Sequence, residues 1–184
     1  MLELLRHVFG WVCGQNPAHS WSPGGEMLPL CQRCTGVYVG AFVAALLHLA
    51  ARPAPTTRWL WLNGAFLLFM LPSGFYWIPQ NAGLRCASGI LFGFGLVAFL
   101  RLTLPRKDAS ESETNSRPQI AVVAASLAAA LVATPLFAED GNAIAANILN
   151  IACLAGVLAL ATLLLANLFI LLNRLARWFF TNAA

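Results

Sequence analysis

The chain has 184 residues, of which 59% are hydrophobic and 10% are charged, and its formal net charge is +4. A soluble domain carries about a quarter charged residues, so this composition excludes an ordinary soluble fold and indicates a membrane protein surrounded by lipid. The basic residues form no run with interleaved aromatic residues, and the sequence therefore gives no sign of a nucleic-acid partner.

Taken in chain order, the sequence begins with an apolar segment, residues 1–12, that is too short to span a bilayer. It contains charged residues, and we predict a short helix lying on the membrane surface. Five later stretches approach the roughly 20 residues that a spanning helix needs. They are residues 35–51, 59–78, 87–104, 120–137 and 143–172. The sequence therefore predicts an all-α integral membrane protein with about five transmembrane helices.

One polar segment, residues 105–118, interrupts the apolar chain. It is rich in Ser, Glu, Lys, Arg and Asn, a composition that is typical of a flexible linker. We expect it to lie in the cytoplasm. The predicted organisation is an outer Cys-rich segment, a three-helix membrane region that carries the site, this linker, and a C-terminal two-helix hairpin with its tail: residues 1–34, 35–104, 105–118 and 119–184.

The distribution of Lys and Arg predicts the orientation. If the N-terminus is outside, only Arg6, Arg33 and Arg85 of the 11 basic residues lie on the outer side. The other basic residues then lie inside, which is the side that positive charge favours. We therefore predict an N-out, C-in topology.

A short internal repeat links the first and third predicted spans. Residues 33–40, Arg-Cys-Thr-Gly-Val-Tyr-Val-Gly, are similar to residues 85–93, Arg-Cys-Ala-Ser-Gly-Ile-Leu-Phe-Gly, with one residue inserted. Glycines four apart share one helix face and allow two helix backbones to approach closely. We predict that these spans pack side by side and bring together four outer side chains: Arg33, Cys34, Arg85 and Cys86. The two arginines are interpreted either as interfacial anchors or as contacts for an anion such as a lipid phosphate.

The cysteines concentrate on the predicted outer side. Cys31-Gln-Arg-Cys34 has the two-residue spacing of a zinc knuckle, and Cys13 offers a third thiolate. His19 or Cys86 is the expected fourth ligand. The sequence thus predicts a zinc site, and a nearby methionine, Met27, leaves copper open. Cys153 lies inside the fifth predicted span, where we expect it to be buried as a small apolar residue.

Two other interpretations of the cysteines stay open. A Cys-x-x-Cys pair at a helix N-terminus has a lowered thiol pKa, and Cys31 and Cys34 would then be the catalytic pair of a thiol-disulfide oxidoreductase. The same residues can instead form a structural disulfide in a subunit of a larger membrane complex. Spacing alone does not separate a metal site from a disulfide.

The cysteine segments also carry a resemblance. Residues 13–21, Cys-Gly-Gln-Asn-Pro-Ala-His-Ser-Trp, and residues 27–40, Met-Leu-Pro-Leu-Cys-Gln-Arg-Cys-Thr-Gly-Val-Tyr-Val-Gly, resemble an uncharacterised family of bacterial and archaeal multi-helix membrane proteins, catalogued only as a domain of unknown function. The family pattern is Cys-His-Gln, Pro-x-Arg-Ser-Phe and Leu-Pro-Leu-Cys-Ala-Arg-Cys-Thr-Gly-x-Tyr-x-Gly. A later Gln and an Arg-x-x-Ser/Thr-Gly correspond to Gln80 and residues 85–89.

The resemblance covers about residues 10–95 and supports the site, without an established reaction. We predict that the chain is a multi-pass protein of the bacterial inner membrane. Three departures stand out: Gly14 stands where the pattern has His, His19 stands where it has Arg, and the Asp-Gly before the Gln is missing, with Ser73-Gly74 a poor substitute for it. The chain is also loosely similar to quinone-linked disulfide-generating membrane proteins. Those proteins need a second outer cysteine pair, which only Cys13 and Cys86 are left to supply.

Overall fold

The computed structural model describes residues 2–25, 27–50, 56–104, 116–139 and 142–182. Over these residues the chain forms six α-helices, two short 3₁₀ turns (Pro17–His19 and Pro23–Gly25), and one isolated bridge between Ser20 and Cys31. The helices are α1 (Leu2–Gly10), α2 (Gln32–Ala50), α3 (Thr57–Gly74), α4 (Ala82–Leu102), α5 (Ser116–Glu139) and α6 (Ala143–Asn182). The predicted all-α architecture is therefore confirmed.

Four helical segments are long and apolar enough to cross a membrane among the residues described: Gln32–Ala50, Ala82–Leu102, Ala121–Glu139 and Ala143–Phe179. They correspond to four of the five predicted spans. The remaining predicted span forms α3, which has 18 residues. It includes Arg58, Asn63 and Pro72, so its mean hydropathy is lower than that of the four segments above. The structure thus supports a multi-helix membrane protein, while five spans and the N-out orientation stay predictions.

Two other sequence predictions concern segments at the edges of these helices. The predicted short N-terminal helix is present as α1, in which Val8 is exposed and Phe9 is buried. Its position on the membrane surface stays a prediction. Most of the predicted linker, residues 105–115, lies outside the described residues, and its last residues, 116–118, belong to α5.

The most extensive helix contact among the described residues joins α2 to α4, as the internal repeat predicts. The equivalent glycines of both helices meet the partner's backbone. A Cβ atom on Gly93 would lie 1.9 Å from the carbonyl oxygen of Val37, and one on Gly40 would lie 2.2 Å from that of Ile90. Residue numbers rise together along both helices, so the two are parallel. Their N-terminal ends, which carry Cys34 and Cys86, therefore lie at the same end of the bundle.

The remaining elements pack around this pair. On α6, Gly156 lies against the backbone of Tyr38 in α2, and Cys153 is 2% exposed with its sulfur 3.8 Å from the carbonyl oxygen of Thr35. The predicted burial of Cys153 is thus confirmed. The N-terminal segment adds Phe9 and Leu30 to the same buried cluster, so it is packed onto the bundle at the end where α2 and α4 begin.

Candidate metal centre

The N-terminal segment folds back so that Cys13 meets the start of α2. Gln15 makes the reversal, with a positive φ of 46°. Its side-chain amide donates to the carbonyl oxygens of Arg6 at 2.6 Å and Pro29 at 3.0 Å. One side chain therefore ties α1 to the strand-like residues that lead into Cys31.

A second set of backbone contacts fixes the other side of this loop. The N–H of Leu28 donates to the carbonyl oxygen of Trp21 at 2.8 Å, and Ser20 forms the antiparallel bridge with Cys31. Trp21 and Leu28 are both buried. The loop is thus held by burial and by hydrogen bonds, and it presents Cys31 directly opposite Cys13.

Three cysteine sulfurs converge at this point. The Sγ atoms of Cys13, Cys31 and Cys34 all lie within 4.8 Å of one another. Cys13 is buried and the other two are partly exposed, and all three are free thiols. The cluster combines the sulfur of Cys13, from the loop after α1, with that of Cys31, which immediately precedes α2, and that of Cys34 in the first turn of α2. It therefore joins the loop after α1 to the start of α2.

The surroundings of Cys13 favour its thiolate form. Hydrogen bonds from the thiols of Cys31 and Cys34 hold its pKa well below the usual range, and they outweigh the opposing effect of burial. The backbone N–H groups of Cys31 and Gln15 donate to the same sulfur at 3.4 and 3.5 Å. Because a thiolate is the form that binds metals, the loop prepares Cys13 as a ligand.

The two candidates for a fourth ligand occupy other positions. The imidazole Nδ1 of His19 accepts a hydrogen bond from the guanidinium of Arg85. Cys86 is 1% exposed, and its carbonyl oxygen faces Gly36 across the contact between α2 and α4. Among the described residues, the group of converging ligand atoms contains the three sulfurs and neither of these two side chains.

The two arginines of the repeat bind different segments. Arg33 donates to the carbonyl oxygen of Ser73 at 2.8 Å, to its hydroxyl at 3.4 Å and to Oε1 of Gln80 at 3.2 Å. It thereby fastens the start of α2 to the end of α3. Arg85 instead holds His19 in the N-terminal loop. A joint anion contact by both arginines stays a prediction.

Comparisons with known proteins identify the family of this chain. The family of predicted membrane proteins designated DUF2085 matches residues 13–99. An uncharacterized protein of Methanothermobacter thermautotrophicus (strain Delta H) is 31% identical over 100 residues, which cover 54% of this chain and 87% of that protein. The chain belongs to the DUF2085 family. No solved structure matches it.

The DUF2085 region begins at Cys13 and ends inside α4, so it contains all three converging sulfurs, whereas α5 and α6 lie beyond it. Within this region the sequence analysis missed the structural role of two residues. Gln15 stands in the Cys-x-Gln part of the family pattern, which is a signal for it. Ser73 is fully buried and donates to the hydroxyl of Ser88 at 3.0 Å. Ser88 stands in the Arg-x-x-Ser/Thr-Gly part of the family pattern, which is a signal for it, but the pattern does not pair it with Ser73.

Proposed function

We propose that this member of the DUF2085 family binds a zinc or copper ion through Cys13, Cys31 and Cys34, at the periplasmic edge of the inner membrane. The observation that carries the proposal is the convergence of three sulfurs within 4.8 Å. A disulfide would use two of them and leave the third unpaired. Zinc and Cu(I) both accept several thiolates, so a metal accounts for all three.

The bound ion would have a structural effect that follows from where its ligands lie. Cys13 belongs to the segment after α1, and Cys34 belongs to α2. Because the free energy of metal binding adds to that of folding when the ligands come from separate elements, the ion would fix the N-terminal segment on the bundle. Such a fixed outer surface suits an accessory subunit of a membrane complex or a protein that binds a small molecule.

Elemental analysis of protein purified in detergent without chelator tests the proposal. We expect about one equivalent of zinc or copper per chain, lost in Cys31→Ser and in Cys34→Ser. Cys153→Ala is the matched control, because it removes a buried sulfur outside the cluster, and it should retain the metal. Wild-type protein without stoichiometric metal, with Cys31 and Cys34 joined in a disulfide, would contradict the proposal.

Thiol-disulfide exchange is the second candidate function, and the lowered pKa of Cys13 beside the Cys31–Cys34 pair favours it. The thiolate of Cys13 is placed to attack a disulfide between those two residues. A quinone-linked enzyme needs a separate outer pair as well. Here Cys13 already belongs to the first cluster and Cys86 is buried, so the described cysteines form no such pair. Oxidation of the reduced protein by quinone, followed by thiol counting, would support this alternative over the metal.

A further inference from the structure

The sulfur cluster offers three ligands, and the structure explains why it does not offer a fourth. A neutral imidazole has one acceptor nitrogen, and a guanidinium only donates. Since Arg85 donates to Nδ1 of His19, the lone pair that a metal would need is already in use. Cys86 is enclosed by the contact of α2 with α4. Either side chain could reach the cluster only by giving up these contacts.

Metal sites with three protein ligands differ in kind from those with four. Structural zinc sites are closed by four protein ligands, whereas sites that react or exchange keep one position for water or another small molecule. Cys31 and Cys34 are both partly exposed, so the cluster is not fully enclosed by the described residues. A small molecule can therefore approach the metal position.

The charges near the cluster indicate what kind of molecule would bind. The guanidinium groups of Arg6, Arg33 and Arg85 all hydrogen-bond to neutral acceptors among the described residues. In the sequence Arg33 lies between Cys31 and Cys34, and Arg85 holds His19, which precedes the residue that bridges to Cys31. Three thiolates around a divalent ion carry one net negative charge. The neighbouring cations would offset that charge and also a further anion.

We propose that the centre keeps its fourth coordination position for a small anionic ligand of the thiolate class. This inference rests on the proposed function, because it needs a metal at the three sulfurs. A thiolate matches both features of the site: it is a soft donor suited to a sulfur-bound zinc or copper, and it is negatively charged. On binding, the incoming thiol releases its proton to solvent and its sulfur displaces a water from the metal.

Cobalt substitution tests the inference in the full-length protein in detergent. Co(II) is loaded into metal-free protein, and the ligand set is measured by X-ray absorption before and after addition of 2-mercaptoethanol. We expect three sulfurs and one light atom without the thiol and four sulfurs with it, accompanied by a rise in the sulfur-to-cobalt charge-transfer absorption. Sodium chloride at the same concentration should not reproduce the change, since chloride is a weaker and harder donor.

Matched variants separate the open position from a protein ligand. His19→Gln and Cys86→Ser should leave the thiol-free cobalt spectrum unchanged, and Arg85→Gln should weaken binding of the thiol several-fold while cobalt binding persists. A spectrum that changes in His19→Gln or Cys86→Ser, a thiol that strips the cobalt, or a four-sulfur shell before thiol addition would overturn the inference. Failure of the proposed function is distinct, because cobalt would then not bind at the cysteines at all.

Discussion

The contact between α2 and α4 positions the cluster, and Gly93→Ala tests it directly. A Cβ atom at residue 93 would lie 1.9 Å from the carbonyl oxygen of Val37 and 3.0 Å from the amide nitrogen of Ala41. Both are backbone atoms within a helix, so no side chain can turn aside to make room. The distance to the oxygen would have to grow by about 1.5 Å before the contact became an ordinary one.

The magnitude follows from two opposing effects. Overpacking a tight interface costs about 1–3 kcal/mol, and alanine returns up to about 1 kcal/mol because it is a better helix former than glycine. Separation at Gly93 also loosens the neighbouring glycine contacts on the same interface. We therefore expect the cost of overpacking to lie in the upper part of its range. We expect the free energy of unfolding to fall by about 1–2 kcal/mol.

Gly64→Ala is the matched control. It lies inside α3, and its added Cβ would be 4.0 Å from the ring of Phe99, an ordinary contact. We expect this variant to be unchanged or stabilised by about 0.5–1 kcal/mol through helix propensity. Thermal unfolding of both variants in one detergent, with metal content measured alongside, gives the comparison. If Gly93→Ala unfolded at the same temperature as Gly64→Ala, the backbone contact would not be limiting and the reasoning would be refuted.

Three further predictions concern the end of the bundle where α2 and α4 begin. Arg33→Ala should lower the free energy of unfolding by about 1–3 kcal/mol, because it leaves buried acceptors at the end of α3 unpaired. Amide hydrogen exchange should rise at the end of α3. Arg58→Ala, which removes an exposed cation, should have neither effect. Gln15→Ala should weaken metal binding and hasten proteolysis after Gly10, since it removes both side-chain bonds that hold α1 to the cysteine loop; equal cleavage rates would count against that role. Chelation should raise hydrogen exchange in residues 11–31 and leave α6 unchanged, and protection that survives metal removal would show that the ion does not fix the segment.

Much of the fold could be predicted because it follows from local sequence. Apolar stretches of sufficient length give the helices, and the repeated Gly-x-x-x-Gly gives the close pair α2 and α4, since only glycine allows two backbones to approach that closely. The helix α3 is the ambiguous element. Its polar residues lower its mean hydropathy, and the reason for one of them appears only in the structure, where Asn63 is 1% exposed and donates to the carbonyl oxygen of Trp59.

The candidate site could be predicted only in part. Cys31 and Cys34 are adjacent on one helical turn, so their spacing alone brings them together, and Cys13 follows from the requirement for a third thiolate. Whether His19 or Cys86 joins the cluster depends on contacts with residues far away in the chain. Arg85, which takes the acceptor nitrogen of His19, is 66 residues distant, and no local pattern indicates that pairing. Such choices are made by tertiary packing.

Arg33 hydrogen-bonds to neutral acceptors among the described residues. A carboxylate added beside it tests whether its positive charge is uncompensated. Its partner Ser73 is fully buried, and the Nε atom of Arg33 is buried without an acceptor among the described residues. Ser73→Asp would add a carboxylate beside the guanidinium. An Asn at this position can only accept from the guanidinium, whereas an Asp also attracts it as an opposite charge where water is largely excluded, so we expect Ser73→Asp to be more stable than the matched amide variant Ser73→Asn.

The same change should act in the opposite direction on ligand binding. Once a carboxylate neutralises Arg33, less positive charge remains to offset an anion at the metal, so Ser73→Asp should bind an added thiolate more weakly than Ser73→Asn does. Thermal unfolding and thiol titration of the cobalt protein measure the two effects on the same samples. A Ser73→Asp protein that is less stable than Ser73→Asn would show that the charge of Arg33 is already compensated, and that it is not available to an incoming anion.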